Sequence, residues 1–241
     1  AALVLVAVTA AELGLNARAI LGGLEDQFHS ASYQEYREDY EANAQLVAAA
    51  REDAGGRSFR MGAAADRGHN SPLAFGYPGI THYSSLYNYD VNQTLKGLGF
   101  AQAWMWCAYY GSTPVTDALF GVQYVVSGED MPPGYEPIAQ AGGLTLWKNP
   151  DVLPLAFCPE ALDETLFGAT PFERQNDLLC SLSGTGEPVF APAPARAFAG
   201  AGETVFTLTG AGKPVYADLS ASGLREVLVN GEHLLWLGTS E

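Results

Sequence analysis

The chain has 241 residues, 48% of them hydrophobic, enough for a substantial core in one large domain or two small ones. Twelve basic residues stand against 27 acidic ones, a formal charge of −15. A field of that sign repels phosphate backbones and anionic headgroups, so no nucleic-acid partner and no peripheral membrane binding is expected. Apolar and aromatic residues are too plentiful for disorder, and the low charged fraction of 16% suits a domain rich in loops.

The first segment, AALVLVAVTAA, is apolar and stops at Glu12. So short a run does not cross a bilayer core of ~30 Å, which needs about 20 residues. No basic region of a signal peptide precedes it. It reads either as a buried segment or as the outer end of a membrane helix, and the residues leave both open. A glycine-containing loop is expected after Glu12. Ser32 with Glu35 forms a capping-box pattern for a helix whose face carries Tyr33, Tyr36, Tyr40, Val47 and Ala50. Arg57 to Met61 alternates and predicts a strand. Residues 62–89 form a long connection dense in Gly, Asn, Ser, Tyr and His, a length that is usually functional.

Asp90 with Gln93 is expected to open a second helix with an apolar body from Leu95 to Tyr110. Thr113-Pro114 starts a third, ended by Gly121. Strands are predicted over Val122 to Ser127, Gly143 to Asn149 and Leu153 to Phe157. Thr170-Pro171 with Glu173 caps a helix to about Leu182. Ala191 to Gly202 reads as a Pro/Ala/Gly linker. Short strands follow at Thr204 to Leu208, Pro214 to Leu219 and Glu226 to Val229, the last joined to the next by Asn230-Gly231, a strong hairpin signal. The fold class is α+β: a mixed unit at 13–184, then a small, incomplete β-sandwich-like unit at 185–241. The C-terminal LLWLGTSE stops just after a strand-like stretch and reads as a cut.

Chemistry is scarce. Cys107, Cys158 and Cys180 make neither a disulfide framework nor a zinc pair, and they leave the compartment open. His29, His69, His82 and His233 have no metal-like spacing and read as loop or surface residues. No metal or cofactor site and no catalytic residue are expected. Glu38, Asp39 and Glu41 fall on a solvated helix and Glu129-Asp130 in a turn, so no glycosidase-like carboxylate pair is present. Asn92-Gln93-Thr94 fits a glycosylation sequence but sits at a helix start and reads as chance. One segment, Asn70 to Asn88, sets rings beside amides and hydroxyls, as a sugar site does. On the residues alone, a structural loop folded on its own tyrosines is the favoured reading.

Taken in order, RSFRM, Asn70, GYPGITHYSS, DALFGVQYVVS, LWKNPDVLPLAF and FERQNDLLCSLSG resemble landmarks of the YfhO-like family of bacterial polytopic membrane proteins. The matching positions are Arg60, Asn70, Ser84-Ser85, Leu119 to Val126, Asn149 with Pro154, and Gln175-Asn176, spanning Tyr33 to Gly184. Met61-Gly62 departs from the Ile-Glu common there, and Gln123 from a usual Lys. The resemblance implies membrane helices before Ala1, makes residues 1–12 the end of one, and puts the domain at the cell membrane on the extracytoplasmic side. It implies kinship with lipid-linked-sugar glycosyltransferases whose catalytic loop lies outside this chain. The expected partners are membrane helices of the same polypeptide and a cell-surface glycopolymer. The expected polar-aromatic contact residues are Arg60, Asn70, Tyr83 and Ser85. Two rival expectations are a non-catalytic domain packing on membrane helices or a partner, motivated by the apolar segment Leu95 to Tyr110, and a secreted carbohydrate-binding or glycosidase module.

Overall fold

The computed structural model describes residues 2–28, 32–64, 68–159, 168–184, 186–200, 203–208, 214–218, 226–230 and 232–236. The apolar N-terminal run does not stop at Glu12. It continues as one helix, α1 (Ala2–Phe28), through the stretch expected to be a loop. Ala, Leu, Glu and Arg are all strong helix formers, so a single Glu12 or Arg18 interrupts the hydropathy but not the helix. The 22 residues Ala2–Gly23 have a mean hydropathy of 1.6 and none of that stretch is buried. By length and composition it meets the requirement of about 20 residues for crossing a bilayer. His29 lies outside the described residues.

Helix α2 (Tyr33–Ala54) begins with the expected box: the Ser32 hydroxyl accepts from Glu35 N–H at 3.2 Å, and the Glu35 carboxylate accepts from Ser32 N–H at 2.7 Å. Its buried face is Ala42, Leu46, Val47, Ala50 and Ala54. Tyr33, Tyr36 and Tyr40, expected on that face, are exposed, with Tyr40 resting on the ring of Phe75 at 5.0 Å. Among the described residues, the helical stripe begins before the part of α2 that is buried, which starts at Ala42.

In chain order there follow β1 (Arg60–Ala63), α3 (Ser71–Phe75), β2 (His82–Tyr83), α4 (Tyr89–Gly97), β3 (Gln102–Ala103), β4 (Trp106–Cys107), α5 (Pro114–Phe120), β5 (Val122–Ser127), β6 (Glu136–Ala141), β7 (Leu144–Lys148) and α6 (Pro171–Ser183). Four strands form the main sheet in the order β1-β5-β7-β6, with β1 parallel to β5 and the other pairs antiparallel. On one side, Tyr124 and Val126 of β5 and Leu146 pack with Leu46, Val47 and Ala50 of α2. On the other, Val125 joins Leu95, Leu98, Phe100, Cys107 and Tyr109. Strand β5 is covered on both faces, which is why it reads as a nearly unbroken apolar run.

Several expectations change here. The segment Leu95 to Tyr110 is not a long helix: α4 is capped by Asn88, whose side chain accepts from Val91 N–H at 3.2 Å, and ends at Gly97. Gly99 then takes a left-handed φ of 99°, and the chain returns as the β3–β4 hairpin. A short apolar run suits a buried strand as well as a buried helix, and the glycines decide between them. Leu153 to Phe157 forms no strand: Pro154 lacks a donor, and both edges of β5 are already occupied by β1 and β7. Strand β6 was not anticipated. Its signal is the two-residue loop Gly142-Gly143, both at positive φ (57° and 76°), the geometry a tight hairpin turn requires. The strand expected over Arg57 to Met61 lies three residues later, at β1.

The last part of the chain forms two separate antiparallel pairs among the described residues: β8 (Ala195–Gly200) with β9 (Glu203–Leu208), and β10 (Glu226–Val229) with β11 (Glu232–Trp236). The first pair takes residues from the expected linker, and the second is the hairpin announced by Asn230, whose φ is 56°. Residues 214–218 form no strand. The fold is α+β with several small sheets.

Gly62 occupies the place where the resemblance expects a glutamate, and packing explains it. A Cβ there would lie 2.3 Å from Cε2 of Tyr109, so the ring lies directly on the β1 backbone. Gly62→Ala should destabilise the chain by about 1–3 kcal/mol through overpacking. Denaturant titration of the detergent-solubilised protein checks this, and an unchanged midpoint would contradict the packing argument.

Candidate functional site

The small sheet, in the order β2-β4-β3, positions most of the anticipated residues. Cross-strand partners share a face. His82, Cys107 and Gln102 form one row, and Cys107 is fully buried, so this row faces the core. Tyr83, Trp106 and Ala103 form the other row, which therefore faces out. His69 stacks on Trp106 with centroids 4.7 Å apart and planes 14° from parallel. The Asn70 side-chain oxygen accepts from Tyr83 N–H at 2.9 Å, tying the start of the long connection to β2. Beyond β2 the Ser84 hydroxyl accepts from Leu86 N–H at 3.1 Å, and Ser85 is exposed in that turn. Trp104 projects from the β3–β4 turn with 72% of its surface exposed. Asn70 and Tyr83 thus belong to one outward surface, and Ser85 is exposed two residues further on. His69, expected only as a loop or surface residue, and Trp106, not singled out in the sequence, come together here through strand pairing of β4 and ring stacking.

Arg60 is placed elsewhere. Its guanidinium donates to the Phe120 carbonyl at 2.7 Å, the last residue of α5. It shares that task with other arginines. Arg57 donates to Ala54 O at 3.0 Å, Arg51 to Gly76 O at 2.7 Å just past α3, and Arg174 to Gly97 O at 3.2 Å. Each meets carbonyls that a helix end leaves without an internal partner.

Behind the small sheet lies a buried carboxylate. Asp117 of α5 accepts from the hydroxyls of Tyr109 (2.7 Å), Tyr135 (2.5 Å) and Ser112 (2.5 Å). Burial raises its pKa despite these three bonds, which favour the charged form. Desolvation, with the neighbouring Asp117 charge, holds the Tyr109 hydroxyl well above its usual value and raises Tyr135 likewise. One turn earlier Thr113 caps α5 and donates to Gln175 Oε1 at 2.6 Å, while Gln175 donates to Leu98 O at 2.7 Å. Asn176 holds the following segment by donating to Phe190 O and accepting from Val189 and Phe190 N–H. Asn149 accepts from Asp151 N–H at 3.0 Å and starts the turn toward Pro154. A profile of the family described as bacterial membrane protein YfhO matches residues 1–212.

The chain belongs to the YfhO family. No curated protein and no solved structure matches it. In this YfhO-family chain the landmarks Asn149, Gln175 and Asn176 are fastenings between segments, while Asn70 fastens the outward surface. Asn92 is fully buried, so its sequon is out of reach in the folded chain. Asp117 is the only buried carboxylate among the described residues, so no pair of buried acids is present there. Among the described residues no three His, Cys, Asp or Glu side chains gather as metal ligands.

Because burial raises the folded-state pKa of Asp117 above its ordinary 3.8, the group contributes stability at pH values below 3.8. That contribution is lost as pH rises through the folded-state pKa. Asp117→Asn, which stays neutral, should therefore gain stability relative to the parent as pH rises from about 4 toward neutrality. Paired denaturant titrations over that range read the difference. A difference that is flat or falls with pH would show that the three hydroxyl bonds, not burial, dominate.

Proposed function

We propose that this chain is the extracytoplasmic part of a polytopic membrane protein related to lipid-linked-sugar glycosyltransferases, and that it positions a cell-surface glycopolymer acceptor. The observation that carries the reading is the outward row of Tyr83 and Trp106, with His69 stacked on Trp106 and the Asn70 side chain bonded to the Tyr83 backbone. Rings of this kind take the apolar face of a pyranose, and flanking amides and hydroxyls take its hydroxyl groups. The exposed apolar helix α1 and the family support the membrane setting. Sugar transfer itself is assigned to no residue of this chain. The packing-domain reading loses its motivating element, since Leu95 to Tyr110 is a short helix and a hairpin rather than one apolar helix.

Trp106→Ala and Tyr83→Ala in the full-length protein should each weaken binding of purified cell-surface glycopolymer by about three- to tenfold. Gly62 to Val126 should remain folded by protease protection. Affinity unchanged in both variants would remove the platform from acceptor binding.

Side of the membrane is tested separately. Cys158 is exposed, whereas Cys107 is buried. In a Cys180→Ser background, a membrane-impermeant maleimide should label Cys158 in intact spheroplasts. Labelling only after permeabilisation would put the domain in the cytoplasm.

A further inference from the structure

The Asp117 carboxylate also forms part of the wall of a cavity of about 200 Å³. Its other walls include the rings of Tyr109, Tyr110, Tyr135 and Tyr216, with Met131 at one side. Among the described lining residues there is no Lys, Arg or His. Tyr216 comes from the segment after β9 and is braced edge-on against Phe190 at 5.5 Å, so distant parts of the chain complete this wall.

The direction of the hydrogen bonds restricts what the cavity can hold. The hydroxyl protons of Tyr109, Tyr135 and Ser112 all point at Asp117. Their oxygens are left as acceptors, and the carboxylate accepts only. Aromatic faces add negative electrostatic potential. An anion is repelled, and a ligand that only accepts hydrogen bonds finds no free donor among these groups. A cation with a greasy surface meets both the charge and the rings.

We propose that this cavity is a binding site for a small alkylammonium group, with Asp117 as counter-charge and the tyrosines as an aromatic wall. The site is separate from the Tyr83–Trp106 platform and does not depend on the glycan reading. Choline is the probe, and its neutral isostere, with carbon in place of nitrogen, is the control. Calorimetric titration is made on the full chain in a maltoside detergent, which carries no ammonium of its own.

Choline should bind saturably, and the isostere about tenfold more weakly or not at all. Asp117→Asn should weaken choline binding by about tenfold. Tyr216→Leu, which leaves all three hydroxyl partners of Asp117 in place, should weaken it about threefold. Should Asp117→Asn fail to fold, Tyr216→Leu and the isostere still decide. Equal binding of choline and isostere would leave only an apolar cavity and overturn the proposal. So would absence of saturable choline binding, or full affinity in Tyr216→Leu.

Discussion

Asp117 is buried with no cation beside it among the described residues, and three hydroxyl protons make that burial tolerable. An uncompensated carboxylate in an apolar interior costs several kcal/mol, so each donor must be held where it can reach. Tyr109 is held by Gly62, whose missing side chain lets the ring lie on β1. Ser112 is held by the turn into α5, and Tyr135 by the loop between β5 and β6. Two segments, the turn from Tyr109 to Ser112 that leads into α5 and the loop between β5 and β6, are thereby fixed to one helix. The adjoining Thr113–Gln175–Leu98 chain extends the same constraint to α6 and α4. The order of this half of the domain follows from satisfying one buried group and its neighbours.

What was legible in the sequence is what is decided locally. The boxes at Ser32 and Thr170 were readable because cap and partner are three residues apart, and the start of α5 because Pro114 follows Thr113. Val122 to Ser127 was readable because a strand covered on both faces needs no alternation. Asn230-Gly231 announced its hairpin through backbone geometry alone. The failures share a cause as well. Tyr33, Tyr36 and Tyr40 keep the helical period, yet whether a stripe is covered depends on the neighbouring sheet, which no window of sequence contains. Leu153 to Phe157 has strand composition, but the Leu153 N–H is taken by the Ala118 carbonyl of α5 and Pro154 has none to give. The carboxylate cluster was invisible because Tyr109 and Tyr135 lie eight and 18 residues from Asp117 on opposite sides.

The outward surface was half legible. Asn70, Tyr83 and Ser85 fall in one long connection, and connections of that length are usually kept for a reason. The structure brings Trp106 into their row by pairing, and His69 by stacking on it. Arg60 was anticipated there from position alone, and the end of α5 claims it instead.

That displacement bears on how such a surface could recognise a polymer. The chain has only twelve lysines and arginines, and four arginines are committed to carbonyls at the ends of helices α2, α3, α4 and α5. Lys148 is committed to Asp53 at 2.8 Å and Arg37 to Glu41 at 3.0 Å. A domain that is strongly acidic and uses its cations internally has little with which to pair phosphates. Ring stacking and neutral hydrogen bonds remain, and they work on the uncharged units of a chain rather than its charged links. The same scarcity of cations is what leaves Asp117 to be satisfied by hydroxyls. One compositional fact, too few positive charges, thus shapes both the buried carboxylate and the aromatic character of the exposed face.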